Sequence, residues 1–259
     1  MNHFKNTICI FVLLLICTLA EAKVYAVIVG ISRYDNPAMN LHYADKDANS
    51  FYNYLRLANK SASVDNFTLL TNENATKENI INALSRQFSK ATATDHVIFF
   101  FSGHGGDGYF TSYDSGFKSR HLYHFLVRDA FKNCKAKTKL CFADACHSGS
   151  IRPKSIDTKM STQKNFFKEA STDKDEIVVF MSSRPNESSQ ETVILSNGVF
   201  TYYLIKSLKG SADVNSDKKI TAFELYTYVH NNVRRLTNNK QNPQMFGKFS
   251  PDQVLANYK

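Results

Sequence analysis

Short apolar runs alternate with amphipathic stretches along most of the chain. Residues 24–29 are apolar throughout and stop at Gly30, the pattern of a strand covered on both faces. Ala44, Ala48, Phe51, Leu55 and Ala58 then recur at helical spacing. This predicts a helix over 44–58, with Asp47 at the edge of its apolar stripe and Asp45 and Lys46 pointing outward. A second strand is expected over 67–70, and Thr76 opens a second helix in which Ile80, Ile81, Leu84 and Phe88 repeat. Residues 96–101 form the most apolar run beyond the amino-terminal segment. A helix over 120–131, strands over 139–143 and 177–181, and helices over 199–208 and 222–236 complete the pattern. The tail from Gln241, with Pro243 and Pro251, reads as irregular with one edge strand. Residues 151–175 mix charges, Ser, Thr and one Pro without a period, and read as a long surface linker.

Strand–helix alternation built from apolar runs predicts an α/β fold, a mostly parallel sheet with helices on both faces. In such a sheet, ligands bind beyond the carboxyl ends of the strands. Ahead of the first strand, Lys5 precedes an apolar run over 8–20, and Ala20 and Ala22 put small residues at the two positions a signal peptidase reads. Residues 1–22 therefore read as a signal peptide. The remainder is expected to be exported, periplasmic or secreted, without stable membrane insertion, since no later apolar run nears the roughly 18 residues a span needs. Cys17 is a poor lipid acceptor because Ile16 stands where a small residue is wanted.

Composition narrows the class further. The 259 residues are 43% hydrophobic, with 20 Phe and 13 Tyr, ample for a buried core, and 10 Gly with 5 Pro exclude collagen-like and low-complexity chains. The net charge is +9, but it is diffuse. The densest basic stretches are Lys132, Lys135, Lys137 and Lys139, then Arg152, Lys154, Lys159, Lys164 and Lys168. They lack interleaved stacking aromatics and read as a solvated face and a linker, with no nucleic-acid partner. Past the leader, Cys134, Cys141 and Cys146 remain, an odd number. Cys141 lies in an apolar run and reads as a small buried hydrophobe, although Cys134 could pair with it.

Two strand ends carry unusual chemistry. His104 sits between glycines just past the run over 96–101, in Ser102-Gly-His-Gly-Gly, and Cys146 stands just past the run over 139–143, in Asp144-Ala-Cys-His-Ser-Gly. If those strands are adjacent and parallel, both residues emerge at one edge, and a thiol beside an imidazole is what nucleophilic acyl transfer requires. The backbone amides of Gly105 and Cys146 could approach a carbonyl oxygen there unobstructed. Taken singly, the features have blander readings, a strand-ending turn and a small buried cysteine. His121 and His124, on the predicted helix, and His147, following the cysteine into a turn, are weaker partners for a thiol.

Together with Tyr25-Ala-Val-Ile-Val-Gly-Ile, Tyr43-Ala-Asp-Lys-Asp-Ala and Gly198-Val-Phe-Thr-Tyr-Tyr-Leu, these segments resemble the caspase-like cysteine peptidases, more narrowly the metacaspase-type and bacterial members of the caspase family. The resemblance covers nearly all of the chain after the leader, and Cys146 follows His104 by 42 residues, of the order of the roughly 50 seen in caspases. It implies a caspase-like, mostly parallel six-stranded sheet. It also implies a large-subunit-like catalytic segment over 23–150, a linker over 151–175 open to processing, and a small-subunit-like segment over 176–259. The implied chemistry is a Cys-His dyad: Cys146 as nucleophile, His104 as proton shuttle, and the amides of Gly105 and Cys146 as oxyanion donors.

Specificity is argued from charge. Caspases proper carry Gln two residues before the cysteine, where this chain has Asp144, and positions 144 and 146 share parity on an extended strand. Asp47, on the apolar side of its helix, is costly unless something pairs with it. Two acids converging on one strand edge suit a cation, and with Ser102 they match the acidic S1 pocket of metacaspases. The implied substrates are proteins or peptides with Arg or Lys at P1. The plainer readings are an acid in the first helical turn for Asp47 and a turn former for Asp144. Arg33, in the first strand-end loop, could instead greet an acidic side chain.

No cofactor is expected to be required, because Gly105-Gly-Asp-Gly-Tyr-Phe lacks the acidic cluster of calcium-dependent metacaspases. The calcium candidate is Asp213, Asn215, Asp217 and Glu224, which match EF-hand ligand positions 1, 3, 5 and 12 with Lys218 in place of the usual glycine. Thr221 and Glu224 equally form a capping box that needs no metal. Arg152, Lys154, Lys159, Lys164, Lys168 and Lys174 offer sites for self-processing. Competing readings are a catalytically silent caspase-like binding scaffold, a clostripain- or gingipain-like peptidase, and a nucleotide-binding domain. The last lacks the required GxGxxG spacing.

Overall fold

A computed structural model describes residues 22–59, 63–116, 120–147, 177–184, 187, 189–192, 195–247 and 250–258. Residues 1–21 of the expected signal peptide, the expected linker over 151–175, and the side chains of Cys146 and His147 lie outside the described residues. In chain order the elements are β1 (Val24–Gly30), α1 (Ala44–Ala58), β2 (Phe67–Thr71), α2 (Lys77–Phe88), β3 (His96–Gly106), β4 (Tyr109–Phe110), β5 (Leu122–Tyr123), α3 (His124–Lys132) and β6 (Thr138–His147). There follow β7 (Ile177–Met181), β8 (Glu191–Thr192), β9 (Asn197–Gly198), α4 (Val199–Lys206), β10 (Lys219–Thr221), α5 (Ala222–Leu236), β11 (Gln244–Phe246) and β12 (Val254–Asn257).

Among the described residues the main sheet runs β11-β7-β6-β3-β1-β2, with β4 and β5 added as a short antiparallel flap on β3. The strands from β7 to β2 are parallel, and β11 is antiparallel at the edge. This is the expected α/β architecture. Strand β3 sends alternate side chains to the two faces, as its pleat requires. Phe99 and Phe101 pack with Ile80, Leu84 and Phe88 of α2 and with Val127 and Phe131 of α3. Phe100 packs on the other face with Phe51 and Leu55 of α1, Phe200 and Leu204 of α4, and Leu225 and Val229 of α5. Phe51 stacks on Phe100 at 4.6 Å between ring centroids. Each such buried side chain contributes about 1.5–3 kcal/mol.

Local sequence explains the element ends that frame the site. Helix α1 crosses the end of β1 so closely that a Cβ on Gly30 would collide with Ala44 O and Ala48 Cβ. Thr76 caps α2 by accepting from Asn79 N at 3.2 Å. Thr221 and Glu224 close a reciprocal capping box at the start of α5.

Several expectations are corrected. The helix expected over 120–131 starts at His124, because Leu122 and Tyr123 are held as a strand against β4. Strands β3 and β6 run on past their apolar runs to Gly106 and His147. Ala58 is exposed. Lys139, read as part of a solvated basic face, is 3% exposed, since its strand is flanked by Val97 and Ile177. Asp45 does not simply point outward: its carboxylate accepts from Ser32 Oγ at 2.8 Å and from Asn72 Nδ2 at 3.2 Å, tying α1 to two strand-end loops. The tail carries two strands, β11 on the main sheet and β12 on β10. Cys134 and Cys141 are buried and free rather than paired.

Candidate active site

The chain order in the sheet reverses between β1 and β3, the position at which a doubly wound sheet opens a crevice beyond its strand ends. On the other side of β3, β3 and β6 pair in a parallel register that makes Ser102 the partner of Asp144 and His104 the partner of Cys146. Adjacent strands lie about 4.8 Å apart, so the backbones of the two sequence-predicted dyad residues stand side by side.

His104 is held from two directions. Its backbone N–H donates to Tyr34 Oη at 2.8 Å, and its ring Nε2 lies 2.8 Å from Met39 O. A carbonyl only accepts, so Nε2 carries the proton and Nδ1 keeps a lone pair. Burial pushes the imidazole pKa down, opposed by the bond to Met39 O and the nearby Glu191 carboxylate, and the net shift is downward. The neutral, proton-accepting form is therefore favoured at neutral pH. Gly105, assigned to the oxyanion, has Phe110 as its register partner on one side and His147 on the other.

Asp47, Ser102 and Asp144 line one cavity of about 140 Å3 together with Leu41, Gly103 and Ser189. Asp47, 1% exposed, accepts from Ser102 Oγ at 2.9 Å and from Gly198 N at 2.8 Å. Asp144, 5% exposed, accepts from Ser189 Oγ and from Thr201 N and Oγ1 at 3.2 and 2.8 Å. Burial raises the pKa of both carboxyls. For Asp47 the charge of Asp144 adds to the rise, while the Gly198 and Ser102 hydrogen bonds oppose it. The pair of carboxyls thus holds a proton more readily than two isolated carboxylates would.

Residues the sequence reading missed complete the cavity. Gly198 fits between the acids: a Cβ there would lie 2.7 Å from Asp144 Oδ2 and 2.8 Å from Asp47 Oδ2. Glu191 adds a third carboxylate to the lining, anchored to the start of α1 by Tyr43 N at 2.9 Å and His42 N at 3.2 Å. Buried Gln241 donates to Ser182 O and Ser189 Oγ and accepts from Gln190 N, fixing the pocket wall to the end of β7. Only Gly198 had a visible cue, its place in the Gly198-Val-Phe segment.

The remaining candidates lie elsewhere. Arg33 pairs with Glu73 at 3.6 Å on the surface. His121 stacks on Tyr109 with centroids 4.0 Å apart, and His124 packs on Phe110. In the EF-hand-like stretch, Glu224 accepts from Thr221 and Val214, and Asp213 accepts from Ser216 N, Lys218 N and Tyr258 Oη. These oxygens serve the loop and the helix cap. No group of three or more His, Cys, Asp or Glu suited to a metal occurs among the described residues, and no helix among them is long and apolar enough to cross a membrane.

A family model, that of the caspase domain, matches residues 23–253. Among solved structures, the fold is similar to that of a protein from Geobacter sulfurreducens, with a TM-score of 0.61 and 20% identity, covering 88% of this chain and 95% of that one. At that identity the likeness speaks for the fold. No curated protein matches the chain.

Proposed function

This chain belongs to the caspase-domain family, and on that premise we propose that it is an exported cysteine endopeptidase that cleaves proteins or peptides after Arg or Lys. The observation that carries the reading is the register of β3 and β6, which makes His104 and Cys146 direct neighbours two residues beyond Ser102 and Asp144. In this mechanism Cys146 Sγ attacks the scissile carbonyl while its proton passes to His104 Nδ1, the ring being oriented by Met39 O. The amides of Gly105 and Cys146 hold the developing oxyanion. As the C–N bond breaks, His104 returns the proton to the leaving amine, and water, activated by the same imidazole, hydrolyses the thioester. The P1 cation enters the cavity between Asp47 and Asp144, beside Ser102. The reaction needs no metal, and the basic residues of the linker are candidate sites for self-processing.

A fluorogenic peptide panel with Arg, Lys, Asp or Asn at P1, run with and without chelator, tests this. The expected result is cleavage after Arg or Lys that is unaffected by chelator and lost in Cys146→Ala. Cleavage after Asp overturns the pocket assignment, and equal activity in Cys146→Ala overturns the nucleophile.

A further inference from the structure

At the far end of the sheet from the catalytic register, the backbone nitrogen of Lys23 lies 2.8 Å from Asp95 Oδ1. Asp95 is 5% exposed, one residue ahead of β3. Its Oδ2 is taken by Thr92 N and Thr92 Oγ1, both at 2.8 Å, and its Oδ1 faces Lys23. The carbonyl of Lys23 accepts from His96 N at 2.8 Å, so this residue is pinned on both sides where β1 begins. Ala20 and Ala22 place the expected leader cut just before it.

We propose that removal of residues 1–22 frees an α-ammonium at Lys23 that ion-pairs with Asp95, making Asp95 the receptor of the processed amino terminus. A signal peptidase adds water across the Ala22–Lys23 bond. The C–N bond breaks, Ala22 leaves as a carboxylate, and the Lys23 nitrogen gains protons to become an ammonium. In the uncut chain that nitrogen is a neutral amide offering a single hydrogen bond. After the cut it adds a positive charge to a hydrogen bond that the carboxylate's charge already assists, so that the contact becomes an ion pair largely shielded from water, and a stronger one. Burial pushes the Asp95 carboxyl up, but hydrogen bonds from Thr92 and Lys23 outweigh it and hold it below the usual range. The other titratable groups around it are the Lys23 side chain, His96 of β3 and Cys134 beyond α3, which in turn faces Lys139 of β6. The proposal rests on the export part of the proposed function and is independent of the dyad and of the acid pocket.

The test expresses the full chain in an exporting bacterial host and measures the intact mass of the product. It then compares the protein starting at Lys23 with one carrying Gly-Ser ahead of Lys23, each with Asp95 and with Asp95→Asn. The expected mass is that of 23–259. The free terminus should melt about 2–4 °C above the extended one, with the difference gone in Asp95→Asn. If Asp95→Asn does not fold, the α-amine decides the matter: titrated by NMR after isotopic methylation, it should ionise above its ordinary value of about 7.7–8.0. A different first residue, equal melting of free and extended forms, or an α-amine titrating in its ordinary range each overturns the proposal.

Discussion

Asp47 and Asp144 are carboxylates kept from water with hydrogen-bond donors but no cation beside them among the described residues, and their chemistry follows from that. Burial and the charge of Asp144 raise the folded-state pKa of Asp47, so folding favours its protonated form. Stability from this group is therefore greatest below its unfolded value of about 3.9 and is lost as pH rises through the higher folded value. Asp47→Asn removes that loss while keeping the shape. The variant should melt as high as wild type or higher near pH 7, and its melting temperature should fall less between acid and neutral pH. The same change takes from a P1 cation one of its two acids, a loss of about 1.5–3 kcal/mol, so kcat/KM on Arg substrates should drop at least 10-fold. Thermal melts and peptide kinetics on one preparation check both. An Asn variant that keeps its Arg preference assigns specificity elsewhere.

Gly198 is the cap residue just ahead of helix α4, and the packing there shapes the pocket. Gly198 has φ −60° and ψ 141°, a conformation open to any residue, so glycine is needed there for space alone. Gly198→Ala drives a methyl between two carboxylates. It should cost about 1–3 kcal/mol of stability and sharply reduce cleavage after basic residues, as denaturant melts and kinetics would show; unchanged activity would falsify the proposed site of P1 binding. Such close approach leaves little trace in a sequence, and it marks where legibility stops. Helices α1 and α5 and strand β7 follow from apolar periodicity with the observed bounds, because each buries a continuous stripe or run. The two-residue strands β4 and β5, the glycine-rich end of β3 and the Asp-Ala-Cys-His end of β6 carry no such period, since their pairing is decided by neighbours distant in the chain. The same holds in the site. Asp47, Ser102, Asp144, His104 and Cys146 stand in recognisable local settings. Glu191, Gln241 and the carbonyl of Met39 act through partners that only the fold brings near, and a backbone carbonyl has no residue type to betray it.

At the scale of the whole molecule, the pocket is divided between two stretches of chain joined by the linker. Asp47, Ser102 and Asp144 come from before it, and Ser189, Gln190, Glu191 and Gly198 from after it. The core is divided the same way. Strand β7 pairs along its whole length with β6, and Phe51, Phe100 and Phe142 share one cluster with Phe180, Phe200 and Leu225. Separating the stretches would expose the inner face of α4 and α5 and a full strand edge, a cost on the scale of the fold's entire stability. A cut within 151–175, by the proposed self-processing or by added trypsin, should therefore leave one particle. Size-exclusion chromatography in native buffer should show the two pieces eluting together at the size of the intact chain and parting only in denaturant. A nicked protein whose pieces elute separately would show that the shared sheet and core do not hold them. The co-eluting particle should keep the acid pocket whole, since both of its walls remain attached to the same sheet.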